Sequence, residues 1–312
     1  MHNLENILEL TYAPLTIFEF DNSRNDSYIY DCLTSTSLYV IAKRTLPIMK
    51  LKDGASNGVH LEISMENCDS QVEIIMTQKD NPNLFGTGLS GIKRHSNLSD
   101  TSDEYFHALT LIGENNRFIM HANFDRLIHL ASNGAIGIKT KGDFTQLLSY
   151  EVLYVGKCTD EHIFNRFKTH HALLDILINE KIVPSGYDKV NDLLILPFCI
   201  QSDVISVING DTSEQQFIEA FSGNFAFNCK NIALDCEKAL IKAMSPKYNK
   251  TKFKQYPKSQ DGLYNKGLQF ITYKIGENLI LKYENENCII GDVTGLSPTS
   301  INILGDYDFF IE

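Results

Sequence analysis

The chain has 312 residues, 43% of them apolar, and a formal net charge of −11. That length and apolar fraction suffice for two or three domains with a buried core, while the negative charge excludes nonspecific nucleic-acid binding over the whole surface, because phosphate contact is driven by cations. No run of about 18 uninterrupted apolar residues occurs, and Met1-His2-Asn3-Leu4-Glu5 lacks the basic start and apolar run of a signal peptide, so a cytoplasmic protein with no membrane partner is expected.

In chain order, the apolar runs Leu15–Phe20, Ser37–Ala42 and Val59–Ser64 are separated by Asn, Asp, Ser and Gly and predict strands joined by turns. Thr77–Asp103 is polar, with Asn81-Pro82-Asn83 as a breaker, and predicts a long loop. Tyr105–Ile112 and Arg117–Ala122 predict strands, and Phe124–Ser132 and Phe144–Tyr150 fit either a helix or a strand. Residues 1–149 are thus expected to form a β-rich N-terminal domain.

A different texture follows. Glu151–Gly156 predicts a strand ending at glycine, Asp160 a helix cap, and Glu161–Asn179 a helix of about five turns. Leu193–Ile200 predicts a buried strand, Ser202–Asn231 an acidic, irregular insertion, and Ile232–Met244 a helix stopped by Ser245-Pro246. Beyond residue 258 the pattern alternates again through Leu268–Tyr273, Asn278–Tyr283, Cys288–Val293, Ile301–Leu304 and Phe309–Ile311, a small C-terminal β module. The fold class expected is α+β, with a compact α/β domain over 150–257 flanked by β-rich regions.

Chemistry-bearing side chains concentrate in that central segment. On a helical wheel, Ile163, Phe164, Phe167, Leu174, Leu177 and Ile178 share one face, and Arg166 and His170, four apart, stack at its edge. Glu237 has Ala233, Leu240, Ile241 and Met244 as its helical neighbours, so its carboxylate is held at an apolar face and needs a cation, a donor or a metal; a salt bridge to Arg166 and a magnesium site are the two readings. Net charge is −6 over 1–150, 0 over 151–260 and −5 over 261–312. The relief comes from Lys242, Lys247, Lys250, Lys252, Lys254 and Lys258, a run without an intervening acid that is either a solvated face or a phosphate-binding one. The seven cysteines are scattered without a C-x-x-C pair, which supports neither a disulfide framework nor a zinc site; Cys158 and Cys236 read as buried core thiols.

The string Leu153-Tyr154-Val155-Gly156-Lys157-Cys158, the pair Arg166 and His170, then Glu237-Lys-Ala-Leu-Ile and Pro246-Lys247-Tyr248-Asn249, in that order, resemble the GIY-YIG endonuclease domain over residues 150–257. The resemblance implies catalytic roles for Tyr154, Arg166, His170 and Glu237. Glu237 would ligate a single Mg²⁺ or Mn²⁺, Arg166 would stabilise charge on the phosphate and Tyr154 would help activate water. Lys157, Asn249, Lys250, Lys252 and Lys254 are the implied substrate contacts. The implied activity is metal-dependent cleavage of DNA, or less favourably RNA, with restriction or phage defence as a setting. The family's first motif should end in a tyrosine on a strand shortly before Tyr154. The nearest lookalike, Gly137-Ile138-Lys139, carries lysine there, and Tyr150 is the nearest tyrosine. That gap motivates the alternative of a catalytically inactive nucleic-acid or nucleotide binding protein on the same fold.

Overall fold

Alternation in the first strand, β1 (His2–Leu10), buries Leu4, Asn6 and Leu8 on one face. The computed structural model describes residues 2–52, 58–66, 71–86, 88–96, 104–180, 191–206, 228–284, 287–292, 294 and 298–312. The apolar run at 15–20 is a strand for only two residues, β2 (Leu15–Thr16), and then turns into helix α1 (Ile17–Asn22). The cause is local: the Thr16 hydroxyl accepts the Glu19 N–H and the Glu19 carboxylate accepts the Thr16 N–H, a reciprocal cap that outweighs the β-branched pattern. Helix α2 (Ser27–Leu33) is capped by Asp26, and β3 (Leu38–Thr45) follows, with Leu38 to Ala42 wholly buried, as expected of a strand covered on both faces.

The next stretch builds two further sheets. Strands β4 (Ile48–Leu51), β5 (Gly58–Ser64) and β6 (Val72–Thr77) are followed by a short helix α3 (Pro82–Phe85) and β7 (Leu89–His95). Then come β8 (Tyr105–Phe106), β9 (Ala108–Gly113), β10 (Phe118–Asn123), α4 (Phe124–Ser132) and β11 (Lys139–Lys141). They pair as β11-β6-β5-β4-β8 and β10-β9-β7 around one core that includes Met49, Leu61, Ile74, Leu111 and Phe124. The loop expected over Thr77–Asp103 therefore holds a helical turn and a strand, β7, which pairs with β9; parts of it, 87 and 97–103, lie outside the described residues. Phe124–Ser132 is the helix, capped by Asn123, whereas Phe144–Tyr150 forms no element before Ser149.

The chain then returns through β12 (Ser149–Lys157), α5 (Ile163–Lys168), α6 (His171–Asn179), β13 (Asn191–Ser206) and α7 (Cys229–Met244). It finishes with β14 (Leu268–Ile275), β15 (Ile280–Tyr283), β16 (Asn287–Ile290), β17 (Ser300–Leu304) and β18 (Asp308–Ile311). These strands and the first three make one ten-stranded sheet in the order β16-β15-β12-β3-β13-β1-β14-β17-β18, with β2 pairing to β13. Strand β1 runs antiparallel to β13 and parallel to β14, placing Leu8 opposite both Ile200 and Ile275.

The fold is mixed α+β and dominated by strands. It divides into two compact units, one of Met1–Ala42, Tyr150–Asn179 and Ile195–Glu312, the other of Lys43–Ser149 and Glu180–Leu194. The boundaries 1–149, 150–257 and 258–312 do not coincide with these units, since β1, β12 and β14 belong to one sheet. Hydrogen bonding across a sheet ignores order along the chain. Most of the insertion expected over Ser202–Asn231, namely 207–227, lies outside the described residues; 202–206 extend β13 and 229–231 open α7. No helix among the described residues is long and apolar enough to cross a membrane.

Candidate active site

Strand β12 presents Tyr154 and ends just beyond Gly156, and its neighbour in the sheet is β3, which carries Tyr39. The two tyrosine rings lie 6.1 Å apart centre to centre. Glycine at 156 is required by this approach: a Cβ there would meet the Tyr39 hydroxyl at 2.4 Å and Tyr154 Cε1 at 2.7 Å. A side chain would force the phenol out of its place.

The helix expected over Glu161–Asn179 is broken in two. Its first part, α5, is capped by His162, whose Nδ1 accepts the Phe164 N–H, rather than by Asp160, which instead pairs with Lys230. The break falls at Thr169 and His170, and the wheel fails beyond it. Leu174 and Ile178 are exposed, 60% and 75%, and Ile176 is the buried residue of α6. The break serves the site. It lets His170 turn inward, where Nε2 lies 2.6 Å from the Tyr39 hydroxyl and the imidazole stands edge-on to Tyr154 at 4.9 Å. Arg166, on α5, sets its positive charge beside both Tyr39 and Tyr154.

Burial sets the protonation of this cluster. It pushes both phenols above the usual tyrosine range, with Arg166 pulling the other way, and it pushes His170 down to about 4, helped by the Arg166 charge. At neutral pH the cluster is two neutral phenols, a neutral imidazole and one cation.

Glu237 reaches the cluster from α7. Its carboxylate is pushed up by burial and pulled back by Lys157 and Arg166, with the Lys157 ammonium 3.7 Å away. Its electric field also acts on Tyr154. Glu237 thus acts on Tyr154 and Arg166, and its ion pair among the described residues is the looser contact to Lys157 rather than a direct salt bridge to Arg166.

A hard cation at this site would be held through this carboxylate. Glu237 is desolvated, 14% exposed at its side chain, and only loosely paired. Among the described residues no three His, Cys, Asp or Glu side chains cluster; Glu237 is the carboxylate of this site that would meet a small divalent ion, and such an ion keeps most of its waters where protein ligands are few.

The remaining residues read from the sequence fall into two groups. Asn249 is buried and spends its amide on Val155, accepting from its N–H at 2.9 Å and donating to its carbonyl at 2.8 Å. It splints the strand between Tyr154 and Gly156. Lys252 donates to the carbonyls of Ser245 and Pro246 beyond α7, closing the end of that helix rather than facing outward. Lys250 and Lys254 are exposed, and Lys242 donates to the Lys254 carbonyl at 2.8 Å. Cys158 and Cys236 are buried thiols, Cys158 pushed up to about 12, which makes them inert as nucleophiles.

Two residues were not singled out by sequence. Tyr39 sits in the run Ser37–Ala42, whose aromatic and β-branched content signals a strand but not a site. Asp235 is buried and accepts from the Tyr256 hydroxyl at 2.6 Å, the Tyr273 hydroxyl at 2.8 Å and the Leu263 N–H at 2.9 Å. Two positions before Glu237, it points roughly 200° around the helix and anchors α7 to β14 while Glu237 faces the tyrosines. The lookalike Gly137-Ile138-Lys139 belongs to the other unit, where Lys139 pairs with Ile75. No protein-family model, curated protein or solved structure matches this chain.

Proposed function

We propose that this chain is a metal-dependent phosphodiester hydrolase acting on DNA or RNA, built on a GIY-YIG-like core in which Tyr39 takes the place of the tyrosine absent from the sequence just before Tyr154. One observation carries the reading: Tyr39 and Tyr154, on neighbouring strands, share Arg166 and His170 beside a desolvated carboxylate, Glu237. Arg166 offers a fixed positive charge for a phosphate, and a guanidinium suits that task by its planar fork of donors. Tyr154, the less buried phenol, orients the attacking water. Lys157 adds a second cation beside Glu237. A Mg²⁺ or Mn²⁺ ion on Glu237 would supply Lewis acidity at the scissile phosphate.

The test is the purified chain with Mg²⁺ or Mn²⁺ against plasmid DNA and RNA. Cleavage is expected, and Glu237→Ala should abolish it while leaving the circular dichroism spectrum unchanged. Intact substrate across nucleic acids and metals would overturn the reading. Salt-sensitive binding that survives Glu237→Ala, without turnover, would instead make the core a binding module.

A further inference from the structure

His170 makes two side-chain hydrogen bonds of opposite sense. Its Nδ1 accepts the Leu173 N–H at 2.9 Å, the contact that an N-cap side chain makes with the third residue of a helix, here α6. A ring nitrogen that accepts a hydrogen bond carries no proton, so the neutral imidazole must hold its proton on the other nitrogen, Nε2. That nitrogen lies 2.6 Å from the Tyr39 oxygen. The imidazole is therefore the donor and the phenol oxygen the acceptor.

The Tyr39 oxygen therefore accepts from His170, and the phenol keeps its own proton. Tyr154, on the neighbouring strand, lies beside the pair and is partly exposed, its ring 6.1 Å from that of Tyr39 and 4.9 Å from the imidazole.

We propose that His170 is a positioning residue and not a base: the cap of α6 fixes its tautomer, and the fixed tautomer makes it a standing donor that holds the Tyr39 phenol in place beside Tyr154. Neutral His170 cannot take the Tyr39 proton at Nε2, which already holds one, and taking a proton at Nδ1 would break the cap. The charged and titratable groups that act on His170 are Arg166, His171, Tyr39 and Tyr154, and none is an acid that would favour imidazolium. The catalytic meaning of this assignment rests on the nuclease reading; the tautomer does not.

The experiment has two arms. Long-range proton–nitrogen NMR of the ¹⁵N-labelled full chain, with the His170 signal assigned by its loss in His170→Asn, should show a proton on Nε2 and a bare Nδ1 at pH 7, persisting as the pH falls towards about 4. A proton on Nδ1, or an imidazolium near neutrality, would overturn the proposal. The second arm measures cleavage against pH. The shorter amide side chain of the His170→Asn variant can still cap Leu173 but cannot reach Tyr39, so this variant should stay folded with a lowered melting temperature, cut about 10–100-fold more slowly and leave the shape of the pH–rate profile unaltered. A base would instead cost about 10²–10⁴-fold and remove a limb of the profile, which would overturn the assignment. If the wild type cuts nothing, the nuclease reading fails, and the NMR arm alone decides the tautomer.

Discussion

The rings of Tyr39 and Tyr154 lie 6.1 Å apart on adjacent strands, although the whole of Lys43–Ser149 separates them in the chain. This pairing makes a sharp prediction about which tyrosine matters. Tyr39→Phe removes the acceptor for His170 and is expected to slow cleavage by about 10²–10⁴-fold, the range for loss of a group engaged in proton transfer. It should also destabilise the fold by about 1–3 kcal/mol, because a buried donor is left unpaired. Tyr150→Phe, at the nearer tyrosine, should leave the cleavage rate unchanged. Equal rates for Tyr39→Phe and wild type would remove Tyr39 from the site.

Asn249 and Val155 form the second such pairing. Asn249→Ala would strip partners from a buried N–H and a buried carbonyl on β12, at about 1–3 kcal/mol each, so urea unfolding should shift by several kcal/mol. Asn249→Asp keeps one bond and sets a carboxylate oxygen against the Val155 carbonyl, so its loss of stability should shrink as the pH falls and the acid is protonated. A variant that weakened substrate binding with stability intact would show that the amide faces the substrate instead.

Acid should affect the two units differently. His129, on α4, is pushed down to about 4 by burial, and a lowered histidine contributes stability that is present above about 6.5 and lost as the pH falls towards 4. His107 and His121, in the same unit, are lowered for the same reason. In the other unit His170 has this sign, but Glu277 has the opposite one. Burial raises Glu277 to about 7, so its contribution is present at low pH and lost as the pH rises from about 4.5 through 7. The two offset each other between about 4.5 and 6.5. Hydrogen exchange from pH 7 to 5 should therefore show β9 and α4 losing protection before β1 and β14, and His129→Phe should reduce the difference. Loss of protection in β1 and β14 first would sink this account.

The site was partly readable before folding. Tyr154-Val155-Gly156 reads as a strand end, Glu237 as a carboxylate on an apolar helical face, and Ser245-Pro246 as a helix stop, because each depends on residues within a few positions of itself. The reciprocal cap of Thr16 and Glu19 was equally local, yet the apolar run around it reads as a strand, so α1 was hidden by a competing pattern rather than by distance. The break at His170 is harder. Residues 163–178 carry a continuous helical period, and only a side chain that prefers to cap Leu173 and reach Tyr39 interrupts it.

The sequence by itself therefore determined the local pieces: which residues make strands β12 and β3, which helix carries Glu237, and that a carboxylate, an arginine and a histidine come in a suggestive order. Only the tertiary structure decided that Tyr39 joins them, that Asn249 and Lys252 are spent on main-chain groups, and that β1 and β14 share a sheet with β12. The reason is physical. Periodicity and capping act over one or two turns, whereas strand neighbours are chosen by hydrogen bonding and burial between segments whose separation along the chain leaves no mark on either.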